Sequence, residues 1–185
     1  MGIKALFLDR DGVINVNYGY VNKIEDFVFI DGIFDLARAA SAKNYIICVV
    51  TNQSGIGRGL YSEMEFHLLT DWMCKQFKTE GVIISKVYYS PYHPIHGLGK
   101  YKKNHASRKP QPGMLLQAIN DFNIDANGSI LIGDKATDIQ AAVAAGVGTK
   151  IYIGEADISQ DVCKDHYTKI SSLSEAKVFL KDELT

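Results

Sequence analysis

Asp9 and Asp11 stand two residues apart in Asp9-Arg10-Asp11-Gly12, directly after the apolar run Ala5-Leu6-Phe7-Leu8. An acid pair so placed can divide a group transfer between an attacking carboxylate, Asp9, and a proton-exchanging acid, Asp11. Two carboxylates this close need a cation to remain ionised together, or one of them takes up a proton far above its ordinary pKa. Mg²⁺ suits an all-oxygen donor set of this kind. A plain Asp-Gly turn would leave the same four residues, so the pair gains meaning only from partners elsewhere in the chain.

Three further polar clusters can supply them. Thr51-Asn52-Gln53-Ser54-Gly55 offers a hydroxyl, amides and flexible backbone ahead of a helix, a natural anion site. Arg108-Lys109-Pro110-Gln111-Pro112-Gly113 sets a guanidinium and an ammonium just before another helix, a pairing that suits oxyanions. Gly133-Asp134-Lys135-Ala136-Thr137-Asp138 delivers an acid from a second apolar run. Asp134 is there a candidate metal ligand, with Asp138 one helical turn later to support it. Taken singly, each cluster is also explained by a capping loop, a solvated basic loop or a helix cap.

The elements that must position these clusters alternate. Apolar runs at 5–8, 45–50, 82–89, 129–132 and 150–153 read as buried strands, and helical periodicity covers 33–43, 62–79, 113–122 and 137–145. This predicts a Rossmann-like three-layer α/β sandwich, a central parallel sheet with helices on both faces. Each cluster follows a strand, so all four should meet at the carboxyl edge of the sheet, where ligands of open α/β sheets bind. Residues 155–185 are more polar, carry one weak helix at 173–180, and read as packing decoration on a single domain spanning 1–185.

Composition narrows the classes. The 185 residues are 46% hydrophobic and 22% charged, which excludes collagen-like, low-complexity and disordered chains. Lys and Arg number 20 against 21 Asp and Glu, a net charge of −1, so the broad basic footprint of a nucleic-acid binder is missing and only Lys100, Lys102 and Lys103 make a local patch. No nucleic-acid partner is expected. No apolar run approaches bilayer length, so no membrane partner is expected either. Cys48, Cys74 and Cys163 form no Cys-x-x-Cys pair, and Met1-Gly2-Ile3-Lys4 has no signal-peptide layout, which together point to a cytoplasmic chain. A monomer is expected.

Acid pair, hydroxyl, lysine and acid, in that order along an α/β chain, resemble the haloacid dehalogenase superfamily of phosphohydrolases. The resemblance is closest to its short-chain branch, the D-glycero-D-manno-heptose 1,7-bisphosphate phosphatases and the related histidinol-phosphate phosphatase domains. It runs from about Phe7 to Ile153 through Phe7-Leu8-Asp9-Arg10-Asp11-Gly12-Val13-Ile14-Asn15, Thr51-Asn52-Gln53-Ser54-Gly55-Ile56, Arg108-Lys109-Pro110-x-Pro112-Gly113 and Gly133-Asp134-Lys135-x-x-Asp138. The resemblance implies an aspartyl-phosphate on Asp9 and a general acid and base in Asp11. It implies Mg²⁺ held by the Asp9 side chain, the Asp11 carbonyl and Asp134, with no large cap domain. Thr51, Asn52 and Lys109 would then bind phosphate, and Gln53, Ser54, Arg108 and Lys135 would shape the substrate pocket. The implied substrate is a small phosphorylated sugar, heptose 1,7-bisphosphate losing its 7-phosphate on the way to nucleotide-activated heptose for lipopolysaccharide or capsule.

Two departures qualify the resemblance. The substrate loop, commonly Asp-His-Gly-Tyr-Val in the heptose enzymes, reads Asn17-Tyr18-Gly19-Tyr20-Val21 here, so Asn17 replaces the acid and Tyr18 the imidazole. Family members often carry a zinc loop, Cys-x-His followed by Cys-x-Cys, where this chain has Ser90, Tyr92, His105 and Ser107. With no thiolate left, no zinc is expected. Histidinol phosphate is the alternative substrate within the class. Outside it stand a receiver-like signalling domain that keeps its phosphoaspartate and a silent sugar-phosphate binder.

Overall fold

The computed structural model describes residues 2–154 and 167–182. The chain forms β1 (Ala5–Leu8), α1 (Ile33–Ala42), β2 (Ile46–Asn52), α2 (Ser54–Gly57), α3 (Glu63–Thr79), β3 (Ile84–Ser90), α4 (Gly113–Phe122), β4 (Ile130–Gly133), α5 (Ala136–Ala144), β5 (Thr149–Ile153) and β6 (Thr168–Ile170). All six strands are parallel, in the order β3-β2-β1-β4-β5-β6. The chain therefore winds one way from β1 through β2 to β3, then returns to the other side of β1 to begin β4. That reversal opens a crevice beyond the carboxyl ends of β1 and β4, the place where such sheets take ligands.

Strands buried on both faces explain why the runs are continuously apolar rather than alternating. Leu6 and Leu8 of β1 face one core layer with Leu36, Leu69 and Met73 from α1 and α3, whereas Ala5 and Phe7 face the other with Met114, Leu115 and Ile139 from α4 and α5. Each fully buried side chain of this size contributes about 1.5–3 kcal/mol relative to exposure. Phe34 of α1 and Trp72 and Phe77 of α3 pack with Phe27 and Phe29 of the preceding loop in a mostly edge-to-face aromatic network that closes this side of the core.

The expected α/β sandwich is the observed one, with differences at its edges. β2 continues through Thr51 and Asn52, two residues past the apolar run, because the ladder to β3 pairs them with Tyr89 and Ser90. The tail does more than decorate. Thr168–Ile170 adds a sixth strand alongside β5, which the polarity of the segment concealed, since only Ile170 of its three residues is buried. The expected weak helix is a 3₁₀ helix, Leu173–Phe179, whose Leu173 and Ala176 enter the core against α1. Cys48 is a core residue; Cys163 and residues 155–166 and 183–185 of the predicted decoration lie outside the described residues. Among the described residues no helix is long and apolar enough to cross a membrane.

Candidate active site

Asp9 and Asp134 each follow the last residue of a strand, β1 and β4, and these strands are hydrogen-bonded neighbours. One carboxylate oxygen from each of Asp9, Asp134 and Asp138 lies within 4.8 Å of the others. The approach is possible because residue 12 is glycine. Its φ is +94°, and a Cβ there would meet Asp134 Oδ2 at 2.2 Å. Asp138 sits in the first turn of α5, where its Oδ2 accepts the Lys135 backbone N–H at 2.9 Å, so a helix-capping acid also faces the crevice.

Lys109 stands among these acids, with only 3% of its surface exposed. Its Nζ lies 3.1 Å from Asp9 Oδ1 and 2.6 Å from Asp138 Oδ1 and donates to the Val50 carbonyl at 2.7 Å. Burial works against the ammonium, but Asp138 and Asp9 outweigh it and hold the Lys109 pKa above its ordinary value. Burial pushes the Asp9 carboxyl up to about 7 against the pull of Lys109, and burial also raises Asp134. Asn52 fixes the lysine from behind, its Nδ2 donating to the Lys109 carbonyl at 3.0 Å and its Oδ1 accepting the Lys109 N–H at 3.1 Å. The amide expected to bind phosphate thus also places Lys109, with its second Nδ2 proton still to give.

Three acids within reach of one another are faced by Lys109 and by the half-exposed Lys135, whose Nζ is 3.4 Å from Asp134 Oδ1. One negative charge remains uncompensated, and Asp134 Oδ1 is buried without a hydrogen-bond partner. An oxygen-only donor set with a surplus negative charge, in which Asp134 Oδ1 is met only by a half-exposed lysine at 3.4 Å, fits a hard divalent cation such as Mg²⁺.

Asp11 is organised differently. Its Oδ1 accepts from Arg10 Nη2 at 2.8 Å and Asn15 Nδ2 at 3.0 Å, and its Oδ2 accepts from Gln53 Nε2 at 3.0 Å. Arg10 is 1% exposed and also donates to the Val21 carbonyl at 2.7 Å, tying Asp11 to the loop 17–21. That loop turns at Gly19 and Tyr20, with φ of 81° and 53°, and Arg58 stacks on the Tyr20 ring.

A cavity of about 350 Å³ opens over these groups. Asp9, Asp11, Asn17, Gly19, Tyr20, Thr51, Asn52, Gln53, Ser54, Arg108, Lys109 and Lys135, all candidates from the sequence, line it together with Asp138, which was expected only to support Asp134, and Asp134 borders it through the acid cluster. Tyr18 does not reach it. Its side chain is 67% exposed and faces a separate shallow surface pocket. Sequence reasoning missed Tyr61 and Thr137, which also line the cavity, and the buried Arg10 and Asn15 behind Asp11. Arg10 and Asn15 lay inside the quoted motif, and Tyr61 immediately precedes the Ser62-x-x-Glu65 capping signature of α3.

The four residues at the zinc-loop positions gather beside the cavity. His105 Nδ1 lies 2.8 Å from Ser107 Oγ, which donates to Ser90 Oγ at 3.0 Å, and Tyr92 stacks on the His105 ring with centroids 4.0 Å apart. The Tyr92 carbonyl accepts from Arg108 Nη1 at 3.0 Å. Hydrogen bonds and stacking among these side chains hold the loop and orient Arg108.

A carboxylate pair after β1, a threonine one residue from the end of β2, a buried lysine and an acid after β4 make the arrangement of a HAD-like hydrolase. A family model described as HAD-hydrolase-like matches residues 106–156. A D-glycero-alpha-D-manno-heptose-1,7-bisphosphate 7-phosphatase of Burkholderia mallei is 57% identical over 157 residues, covering 85% of this chain and 83% of that one. A D-glycero-beta-D-manno-heptose-1,7-bisphosphate 7-phosphatase of Vibrio cholerae is 51% identical over 153 residues, covering 83% and 82%. Among solved structures, a D,D-heptose 1,7-bisphosphate phosphatase from B. bronchiseptica, complexed with magnesium and phosphate, superposes with a TM-score of 0.81 at 23% identity, covering 96% of this chain and 97% of that one. The chain belongs to the heptose-1,7-bisphosphate 7-phosphatase family of HAD-like hydrolases.

Proposed function

We propose that this protein is a Mg²⁺-dependent phosphatase that removes the 7-phosphate of D-glycero-D-manno-heptose 1,7-bisphosphate and leaves heptose 1-phosphate. The observation that carries the reading is the buried Asp9 carboxylate, ion-paired with Lys109 at the mouth of a crevice that holds two further acids. Asp9 Oδ1 is engaged by Lys109 and by the Arg10 N–H at 2.7 Å, so Oδ2 is the atom offered to phosphorus.

Asp9 Oδ2 attacks the C7 phosphoryl phosphorus, and the bond from phosphorus to the sugar oxygen breaks. Asp11 gives its proton to that oxygen. Asp11 then takes a proton from water, the water oxygen attacks the same phosphorus, and the bond to Asp9 breaks to release phosphate and restore both acids. Lys109 and the Thr51 hydroxyl hold the equatorial oxygens through the transfer, where positioning and charge neutralisation supply most of the catalysis. The Asp9 side chain, the Asp11 backbone carbonyl and Asp134 would hold Mg²⁺, which supplies the remaining neutralisation of phosphoryl charge. Arg108, Lys135, Asn17 and Tyr20 surround the remainder of the cavity, where the sugar and its second phosphate would lie.

Phosphate release from both anomers of heptose 1,7-bisphosphate, with Mg²⁺ and with EDTA, tests the reading, with histidinol phosphate run beside them. Strong EDTA-sensitive turnover of one heptose anomer supports it. Preference for histidinol phosphate, or equal weak rates on all three, overturns the assigned substrate.

A further inference from the structure

Tyr61 belongs to no motif in the chain, yet it reaches the centre of the site. It is the residue before the N-cap of α3, and the Ser62 and Glu65 capping box fixes that helix start. Its ring packs with Phe66, five residues on, in a small cluster with Ile56, the staple arrangement that sets the angle at which a chain enters a helix. The side chain is 6% exposed. Gly55 makes room for it, since a Cβ at that position would meet the Tyr61 ring at 2.2 Å.

From this fixed position the phenol donates to Gln53 Oε1 at 2.5 Å. The opposite end of the same amide makes two further bonds, Nε2 donating to Asp11 Oδ2 at 3.0 Å and to Thr51 Oγ1 at 2.9 Å. Both amide protons and the amide oxygen are therefore in use, and Gln53 is 2% exposed. The bond received by Thr51 Oγ1 leaves that hydroxyl its own proton to donate into the cavity. Burial raises the Tyr61 pKa, which keeps the phenol a donor at all working pH values.

We infer that Tyr61 is a positioning residue for phosphoryl transfer: it anchors the Gln53 amide, and the anchored amide sets the orientation of both Asp11 and the Thr51 hydroxyl. The inference rests on the roles proposed above for Asp11 and Thr51. The Tyr61 hydroxyl is taken up by Gln53, so its loss acts on the transfer step more than on binding.

Tyr61→Phe keeps the staple with Phe66 and the packing on Gly55 but removes the hydroxyl. The buried Gln53 oxygen then loses its partner, and the amide is free to turn from Asp11 and Thr51. The expected result is a kcat lower by about three- to tenfold with KM within about twofold and a melting temperature lower by only a few degrees, since one buried acceptor loses its partner. A double-mutant cycle separates positioning from general packing. In a Gln53→Ala background, Tyr61→Phe should have no further effect on kcat. Wild-type turnover of heptose 1,7-bisphosphate is the internal control: failure there refutes the functional reading itself. With that activity present, an unchanged kcat in Tyr61→Phe, or fully additive losses in the cycle, would overturn the inference.

Discussion

Replacing Lys109 by Met probes the electrostatic centre of the site. The side chains are similar in length, so the substitution mainly removes charge from a position that is 3% exposed. At an effective dielectric constant of about 20, an ammonium 3.1 Å from Asp9 Oδ1 and 2.6 Å from Asp138 Oδ1 attracts them by about 5 and about 6 kcal/mol before desolvation is counted. Desolvation of the ions takes back much of this, and loss of one partner from a buried pair costs about 3–5 kcal/mol net. Two consequences follow for catalysis. Asp9, whose carboxyl burial already pushes up, loses the charge that pulls it down. The equatorial phosphoryl oxygens also lose a donor. A loss of about 4 kcal/mol in transition-state stabilisation corresponds to a kcat lower by about 10³-fold. Phosphate release at saturating Mg²⁺ and substrate measures it, with near-ultraviolet circular dichroism to establish that the variant is folded. A folded Lys109→Met enzyme within tenfold of wild type would refute the reasoning.

Other predictions concern the cation, the loop and the core. Asp134→Asn should abolish the rise in melting temperature that Mg²⁺ produces in the wild type, which at a hundredfold excess over Kd reflects about 2.7 kcal/mol; a full rise in the variant would remove Asp134 from the cation site. Elemental analysis of the purified protein should find no stoichiometric zinc, and a zinc chelator should leave its melting temperature unchanged, because Ser90, Tyr92, His105 and Ser107 hold the loop by direct contact; one zinc per chain would contradict this. Cys48 is fully buried and its thiol is pushed up to about 12, so peptide mapping after iodoacetamide at pH 8 should find it unmodified in the native protein and alkylated after unfolding.

The legible parts of the molecule were those set by strong local signals. Continuous apolar runs mark strands covered on both faces, and Asp9, Thr51 and Asp134 fall at or beside strand ends because there the chain leaves the core, while Lys109 stands in the loop ahead of α4. β6 stayed hidden because an edge strand of three residues with one buried side chain carries too little periodicity to register. The roles of individual polar side chains were less accessible. Asn52 reads as a phosphate ligand from its place beside Thr51, and its amide has the further task of meeting a backbone 57 residues away, a pairing set by tertiary geometry. Tyr61 reads as the apolar residue before a helix cap, and its hydroxyl acquires a partner only when α2 and α3 pack over the end of β2. Tyr18 was placed in the pocket by its position in the loop, whereas the left-handed turn at Gly19 and Tyr20 directs Tyr20 to the cavity and leaves Tyr18 outside.

The central claim is that Asp9 receives the phosphoryl group. Acid quenching during turnover of heptose 1,7-bisphosphate with Mg²⁺, reduction of any acyl phosphate with borohydride, and mass mapping of the peptides tests it directly. The account predicts homoserine at position 9 in the quenched turnover sample and aspartate there when substrate is omitted. Sustained turnover with residue 9 unmodified, or reduction at a different carboxylate, would contradict it.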